Sequence, residues 1–165
     1  MNFERWFLIG FTVICIIALM KFIPKHKQRD AWVLFLFLQV ITWPAGLFAV
    51  EKGWIEYPTQ LLPQTNSYNK SSFSFEFFFF PVVAIFFSLY YPQRKHWLIV
   101  ILYYVGISGF FTMVEVLLEH YTALVNYKEW KWYWTFSTVN TALFLNDRAY
   151  RWFKKGFKQV QMNEK

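Results

Sequence analysis

The chain has a single cysteine, Cys15, among 165 residues, so it can form no internal disulfide and no cysteine-based metal set. Its three histidines, His26, His96 and His120, never fall at the i, i+3 or i, i+4 spacing at which a helix presents two ligands to one metal. Six scattered glycines include no Gly-Lys-Ser/Thr phosphate loop. No Gly-x-Ser-x-Gly occurs, and no serine or cysteine stands beside a histidine base. These absences set aside an ordinary soluble enzyme and point to no catalytic residue, no metal and no cofactor. Charge is scarce as well, at 16% of residues against 56% hydrophobic, a ratio no soluble fold of this size can hide. The net charge of +7 would suggest nucleic acid in a soluble protein, but here the cations sit in the gaps between apolar runs.

What is abundant is aromatic and aliphatic surface, with 21 Phe, 10 Tyr and 9 Trp. Trp6 to Ile23 is an apolar run of about 27 Å as a helix, close to the hydrocarbon thickness of a bilayer. No small-x-small cleavage site follows it and Arg5 is the only preceding cation, so it is expected to stay as a first span. Further spans are predicted at 31–50, 73–91, 97–118 and 132–153. In the second, Pro44 is expected to kink the helix, while Ala45 and Gly46 let a neighbour come close. Residues 51–72, rich in Pro, Thr, Gln, Asn and Ser, read as a loop. The fifth run is the most polar, carrying Thr135, Ser137, Thr138, Asn140 and Thr141 before Asn146, Asp147 and Arg148. The expected architecture is all-α: one membrane domain over 1–165, an integral bundle of five transmembrane helices.

Lysine and arginine fix the expected orientation. Twelve fall in the 21–29 and 92–96 turns and from Arg148 onward, against five in the other gaps, which puts the N-terminus outside and the C-terminus in the cytoplasm. On this topology Glu51, Glu76, Glu115 and Glu119 gather at the outer end. Glu115 and Glu119 share a helix face at a helix C-terminus, where both their mutual repulsion and the macrodipole disfavour negative charge. The candidate polar cluster is therefore Glu76, Glu115, Glu119 and Asn140. It reads either as a cation or proton site or as structural carboxylates paired with Arg5, Lys52, Lys70 or Asn140.

The run Tyr127, Trp130, Trp132, Tyr133, Trp134 reads as an interfacial aromatic belt or, less in keeping with such runs, as a sugar- or lipid-binding shelf. Beyond it, Ala149, Phe153, Phe157 and Val160 form one helical stripe and Arg148, Arg151, Lys155 and Lys158 another, so 148–160 is a basic amphipathic tail suited to anionic lipid headgroups or an acidic partner.

Three segments carry a resemblance: Glu76 within Ser-Phe-Glu-Phe-Phe-Phe-Phe-Pro, Glu115 with Glu119, and Trp130-Lys-Trp-Tyr-Trp-Thr-Phe followed by Tyr150-Arg-Trp-Phe. They resemble the small, uncharacterised multi-pass membrane proteins of spore-forming bacilli and clostridia. The resemblance implies a helical bundle in a bacterial plasma membrane and brings no activity with it. The expected function is a non-enzymatic structural or interaction component, whose partners are the bilayer, anionic headgroups at the tail and a further membrane protein, with no nucleic acid. Two alternatives stand beside it: cation or proton translocation through the outer carboxylates, and lipid modification inside the membrane. A polar path across the bundle would favour the first, a lateral cleft at the carboxylates the second.

Overall fold

The computed structural model describes residues 3–62, 71–92 and 96–163, with side chains described up to residue 156. Lys70 and Lys95, and the side chains of Phe157, Lys158 and Val160, lie outside the described set.

The architecture is all-helical with five helices. Helix α1 covers Phe3–Phe22 and stops before Pro24, which lacks the N–H needed to continue it. A short 3-10 turn at Lys25–Lys27 leads into α2, Gln28–Glu51, which runs on through Pro44. Its C-terminus is a Schellman motif: Gly53 adopts a positive φ of 70°, its N–H bonds the Val50 carbonyl at 2.9 Å and the Trp54 N–H bonds the Ala49 carbonyl at 3.0 Å. A π-helical stretch, Ser74–Phe79, feeds α3, Phe80–Leu89. Helix α4 spans Trp97–Tyr121 and α5 Trp132–Asn163. The predicted fifth span and basic tail are thus one uninterrupted helix of 32 residues, about 48 Å long.

The five helices alternate in direction. At one end Glu4, on the first turn of α1, accepts hydrogen bonds from Thr59 Oγ1 and the Ala123 N–H, so it ties α1 to both loops there. At the other end the Tyr90 hydroxyl, after α3, bonds the Phe22 carbonyl at 3.2 Å, and Lys154 of α5 bonds Asp30 of α2 at 3.0 Å. α1, the α2 unit with its preceding turn, and α4 are long and apolar enough to cross a membrane; the apolar helix over Ser74–Leu89 is shorter. Their outward faces carry exposed Ile14, Ile17, Val40, Leu102 and Phe110, a continuous oily exterior. Helix α5 instead turns polar groups inward, with Thr135, Asn146 and Asp147 all buried.

Two loops expected to be irregular pair with each other. Strand β1 (Ile55–Glu56) lies antiparallel to β2 (Asn126–Tyr127), with Ile55 opposite Tyr127. The Trp54 carbonyl then accepts three successive N–H groups, from Lys128, Glu129 and Trp130, at 3.0–3.2 Å. This ladder forms a cap whose underside is Ile55, Leu124 and Val125, packed on Leu8, Ala49, Val50 and Phe75. In mid-bundle, Leu38, Phe80, Ala84, Phe87, Phe111, Val139 and Leu143 make an apolar core.

Candidate functional site

Beneath the cap is a cavity of about 440 Å³, walled by α2, the π-helical stretch, α4 and α5. Most of its lining is apolar or aromatic: Ile41, Ala49, Phe75, Phe79, Phe111, Trp130 and Trp134 among others. Two carboxylates, Glu76 and Glu115, line it, and no Lys, Arg or His does among the described residues.

The π register explains how Glu76 reaches this wall. Within Ser74–Phe79 the chain bonds i to i+5, as the Phe80 N–H does to the Phe75 carbonyl. The next such donor to the Glu76 carbonyl would be residue 81, which is proline and has none. Gln39 Nε2 on α2 supplies the missing donor at 3.3 Å. Such one-turn widenings recur at functional positions because they rotate a side chain out of the regular helical register. The Glu76 carboxyl then packs directly on Gly46, where a Cβ would overlap it. Ser71 approaches the carboxyl from the chain before the π stretch, yet Oε2 is buried and has no partner at hydrogen-bond distance among the described residues.

Glu115 is held differently. Its Oε1 accepts from the Tyr127 hydroxyl at 2.9 Å and from Thr135 Oγ1 at 3.1 Å, while Trp130 Nε1 donates to that same Thr135 oxygen at 2.7 Å. The Tyr127 and Thr135 oxygens also lie 3.1 Å apart, close enough for either hydroxyl to donate to the other, so the three groups form one hydrogen-bonded cluster. Burial raises the Tyr127 phenol above its ordinary range, and the neighbouring Glu115 adds to this. Tyr57, another lining residue, is pushed well up by burial first and by Glu115 and Glu76 next. Both phenols thus keep their protons, and Tyr127 remains a donor toward Glu115.

Of the predicted polar cluster, the structure brings Glu76 and Glu115 to one cavity. Glu119 and Asn140 are half-buried and outside its lining, although Glu119 stands near enough to Tyr127 to act on it electrostatically. Neither Arg5 nor Lys52 pairs with these carboxylates: the described ion pairs are Lys128–Glu56, Arg151–Asp147 and Lys154–Asp30. Glu51 is exposed on the helix end. The aromatic run divides, with Trp130 half-buried and tilted against Trp54, ring centres 6.3 Å apart, while Trp132, Tyr133 and Trp134 are exposed. Sequence reading missed Tyr57, Tyr127 as a ligand of Glu115, Thr135 and the Glu4 clamp. Gly46 left a signal as a small residue two positions after a proline in an oily helix, and Thr135 and Tyr127 were visible as polar or aromatic residues without a partner being assigned.

A second cavity, of about 830 Å³, opens at the other end and is lined by Lys27, Arg148, Arg151, Lys154 and Lys155 together with Asp30 and Trp152. The predicted basic face is not uniformly free there. Arg151 Nε is bonded to the buried Asp147 at 2.7 Å, and its guanidinium lies 4.1 Å from the centre of the Tyr91 ring. Arg148 packs over Phe144 at 5.1 Å. Comparison with family models, curated proteins and solved structures gives no match to this chain. Its function is therefore read from the two cavities.

Proposed function

We propose that the chain is a five-span, multi-pass protein of the bacterial plasma membrane, N-terminus outside and C-terminus in the cytoplasm, that binds a lipophilic organic ammonium ion between Glu76 and Glu115. It is a non-enzymatic component, and its work is recognition. One observation carries the reading: two carboxylates line an oily, aromatic cavity that contains no cation of its own among the described residues. A buried charge without a counter-charge is costly, and a ligand cation with apolar bulk relieves that cost while filling the volume. Ligand cavities run roughly 300–1,000 Å³, and the faces of Trp130 and Trp134 add cation–π attraction. An inorganic ion fits less well, because Ca²⁺ and Mg²⁺ want about six or more oxygens and two carboxylates in an apolar wall supply few.

The alternation of the five helices and the twelve-to-five bias of lysine and arginine support the span count and orientation. Two features oppose the alternatives. The apolar cluster of Leu38, Phe80, Phe87, Phe111 and Leu143 fills the middle of the bundle, which favours recognition at the cavity over translocation through the bundle. Thr135, the aliphatic hydroxyl that donates to Glu115, has its oxygen occupied by Trp130 Nε1, which leaves a poor nucleophile for lipid chemistry.

Tryptophan fluorescence of the purified chain in neutral maltoside micelles tests the reading. A phenylalkylammonium should change it saturably, and the alcohol of the same shape should bind at least about 10-fold more weakly, as expected from even ~1.4 kcal/mol of charge recognition. In Glu115→Gln that preference should collapse. Equal binding of the ammonium and the alcohol to the parent chain would sink the proposal.

A further inference from the structure

The basic cavity at the far end has no role in ammonium binding, and its charges do not cancel. Five cations line it, Lys27 from the 3-10 turn and Arg148, Arg151, Lys154 and Lys155 from α5, against one lining carboxylate, Asp30. Two of the cations are internally matched: Arg151 by the buried Asp147 and Lys154 by Asp30, with Tyr150 offering its hydroxyl oxygen to Lys154 at 3.0 Å. Lys27, Arg148 and Lys155 have no ion pair among the described residues. Three unmatched cations around one concavity repel one another unless an anion sits among them.

The neighbouring side chains define what kind of anion. Trp152 lines the same cavity and is 74% exposed, an amphipathic ring of the sort that settles at headgroup level. Phe153, the next residue of α5, is also exposed. Arginine and lysine together on one helix suit phosphate oxygens, arginine as a planar fork and lysine as a point charge. Lys154–Asp30 ties α5 to α2, and Arg151–Asp147, one turn apart within α5, holds the Arg151 side chain in place; the other three cations have no counter-charge among the described residues, with Lys27 and Arg148 resting against the rings of Tyr90 and Phe144.

We infer that Lys27, Arg148 and Lys155 bind the phosphate of an anionic phospholipid in a formed pocket between α5 and the turn preceding α2. This differs from adsorption of a basic tail, because Lys27 lies more than a hundred residues away from the α5 cations and Lys158 is not required.

Native mass spectrometry of the full chain in neutral maltoside, supplied with equal amounts of phosphatidylglycerol and phosphatidylcholine, reads the pocket. The parent should retain phosphatidylglycerol at least 10-fold better than phosphatidylcholine. The triple variant Lys27→Gln, Arg148→Gln, Lys155→Gln should lose that preference, whereas Lys52→Gln, Lys128→Gln, Lys131→Gln, which removes the same charge elsewhere, should keep it. A Lys27→Arg, Lys155→Arg variant should also keep it, which separates lost recognition from lost folding. Glycerol phosphate competing at millimolar level supports the phosphate chemistry, and if it binds while lipid is not retained, the source is soluble and not the bilayer. Equal retention by the parent and the triple glutamine variant overturns the inference, as does equal loss in both triple variants. Tighter binding of an acidic peptide than of either phosphate probe overturns it too. None of these outcomes depends on the carboxylate cavity, so ammonium recognition stands or falls separately.

Discussion

Replacing Gly46 by alanine adds one methyl group where α2 meets the Glu76 carboxyl. In an open helical position the change stabilises by roughly 1 kcal/mol, since alanine loses less backbone freedom than glycine on folding. At Gly46 the new Cβ would stand 2.6 Å from Glu76 Cδ and 2.8 Å from Oε2, inside van der Waals contact. Relief requires the buried Glu76 carboxyl, the end of a flexible side chain, to turn away from α2 within a packed wall, and overpacking of this kind costs about 1–3 kcal/mol where the side chain cannot give way. The two effects leave a net loss of about 0–2 kcal/mol, a reversal of the usual sign. At Gly106 and Gly109, on α4, an added methyl would meet nothing within 4 Å, so Gly109→Ala gives the reference gain. Removing the obstacle should restore that gain: in a Glu76→Ala background, Gly46→Ala should stabilise by about 1 kcal/mol, which makes the coupling between the two positions about 1–3 kcal/mol. Unfolding of the four chains by a denaturing detergent in mixed micelles measures the cycle. If Gly46→Ala stabilises the parent as much as Gly109→Ala does, the Glu76 carboxyl does not rest on Gly46.

Glu115→Gln keeps an acceptor for Tyr127 and Thr135 and removes a buried charge, so stability should hold within about 1 kcal/mol while ammonium binding weakens; a stability loss of several kcal/mol would mark a structural ion pair instead. Arg151→Leu leaves the buried Asp147 carboxylate uncompensated and should cost about 1–3 kcal/mol, discounted because Arg151 is itself partly solvated; Asp147→Asn with Arg151→Leu should recover much of it, as equilibrium unfolding would show. Tyr57 and Tyr127 both have raised folded pKa values, so their contribution is complete below the unfolded tyrosine value of ~10 and is lost as pH rises beyond it. The chain should therefore destabilise from about pH 10 upward, and Tyr57→Phe with Tyr127→Phe should flatten that fall in a thermal unfolding series. In a Cys15→Ser background, an impermeant thiol reagent on intact cells should modify Lys52→Cys and spare Lys25→Cys and Lys155→Cys; the reverse pattern inverts the orientation.

Helix positions were legible because a run of apolar residues between basic or proline-bearing gaps specifies its own length. The observed α1, α2 and α4 differ from the predicted spans by at most about three residues per end, the usual uncertainty of helix boundaries. The acidic residues of the site were visible for the same reason, as costly groups in oily sequence. What surrounds them was not visible. The π register over Ser74–Phe79 depends on a glutamine 37 positions away answering for a proline, and no local pattern encodes that. Pairing of β1 with β2 joins two loops about 70 residues apart through two residues each, too short to alternate. Glu119 looked equivalent to Glu115, but one helical turn decides which carboxylate faces Tyr127 and Thr135 and which does not. Likewise Arg151 could be placed on a basic face, while its buried partner Asp147 read only as a break in a marginal span.

The order of synthesis gives the three N–H groups on the Trp54 carbonyl a different significance. That oxygen emerges from the ribosome long before residues 128–130, and the cavity's last wall, α5, comes after them. Throughout the interval Glu76 has its place on Gly46 but no roof, and Glu115 has neither Tyr127 nor Thr135. A chain that stops after α4 therefore presents two carboxylates on oily surfaces with the second one's donors missing, the kind of exposed polarity that membrane quality control recognises. Completion of α5 is consequently the event that gives the site its last wall and Glu115 its Thr135 donor, and chains truncated between Tyr121 and Trp134 are expected to have a shorter half-life than the full chain in a pulse-chase.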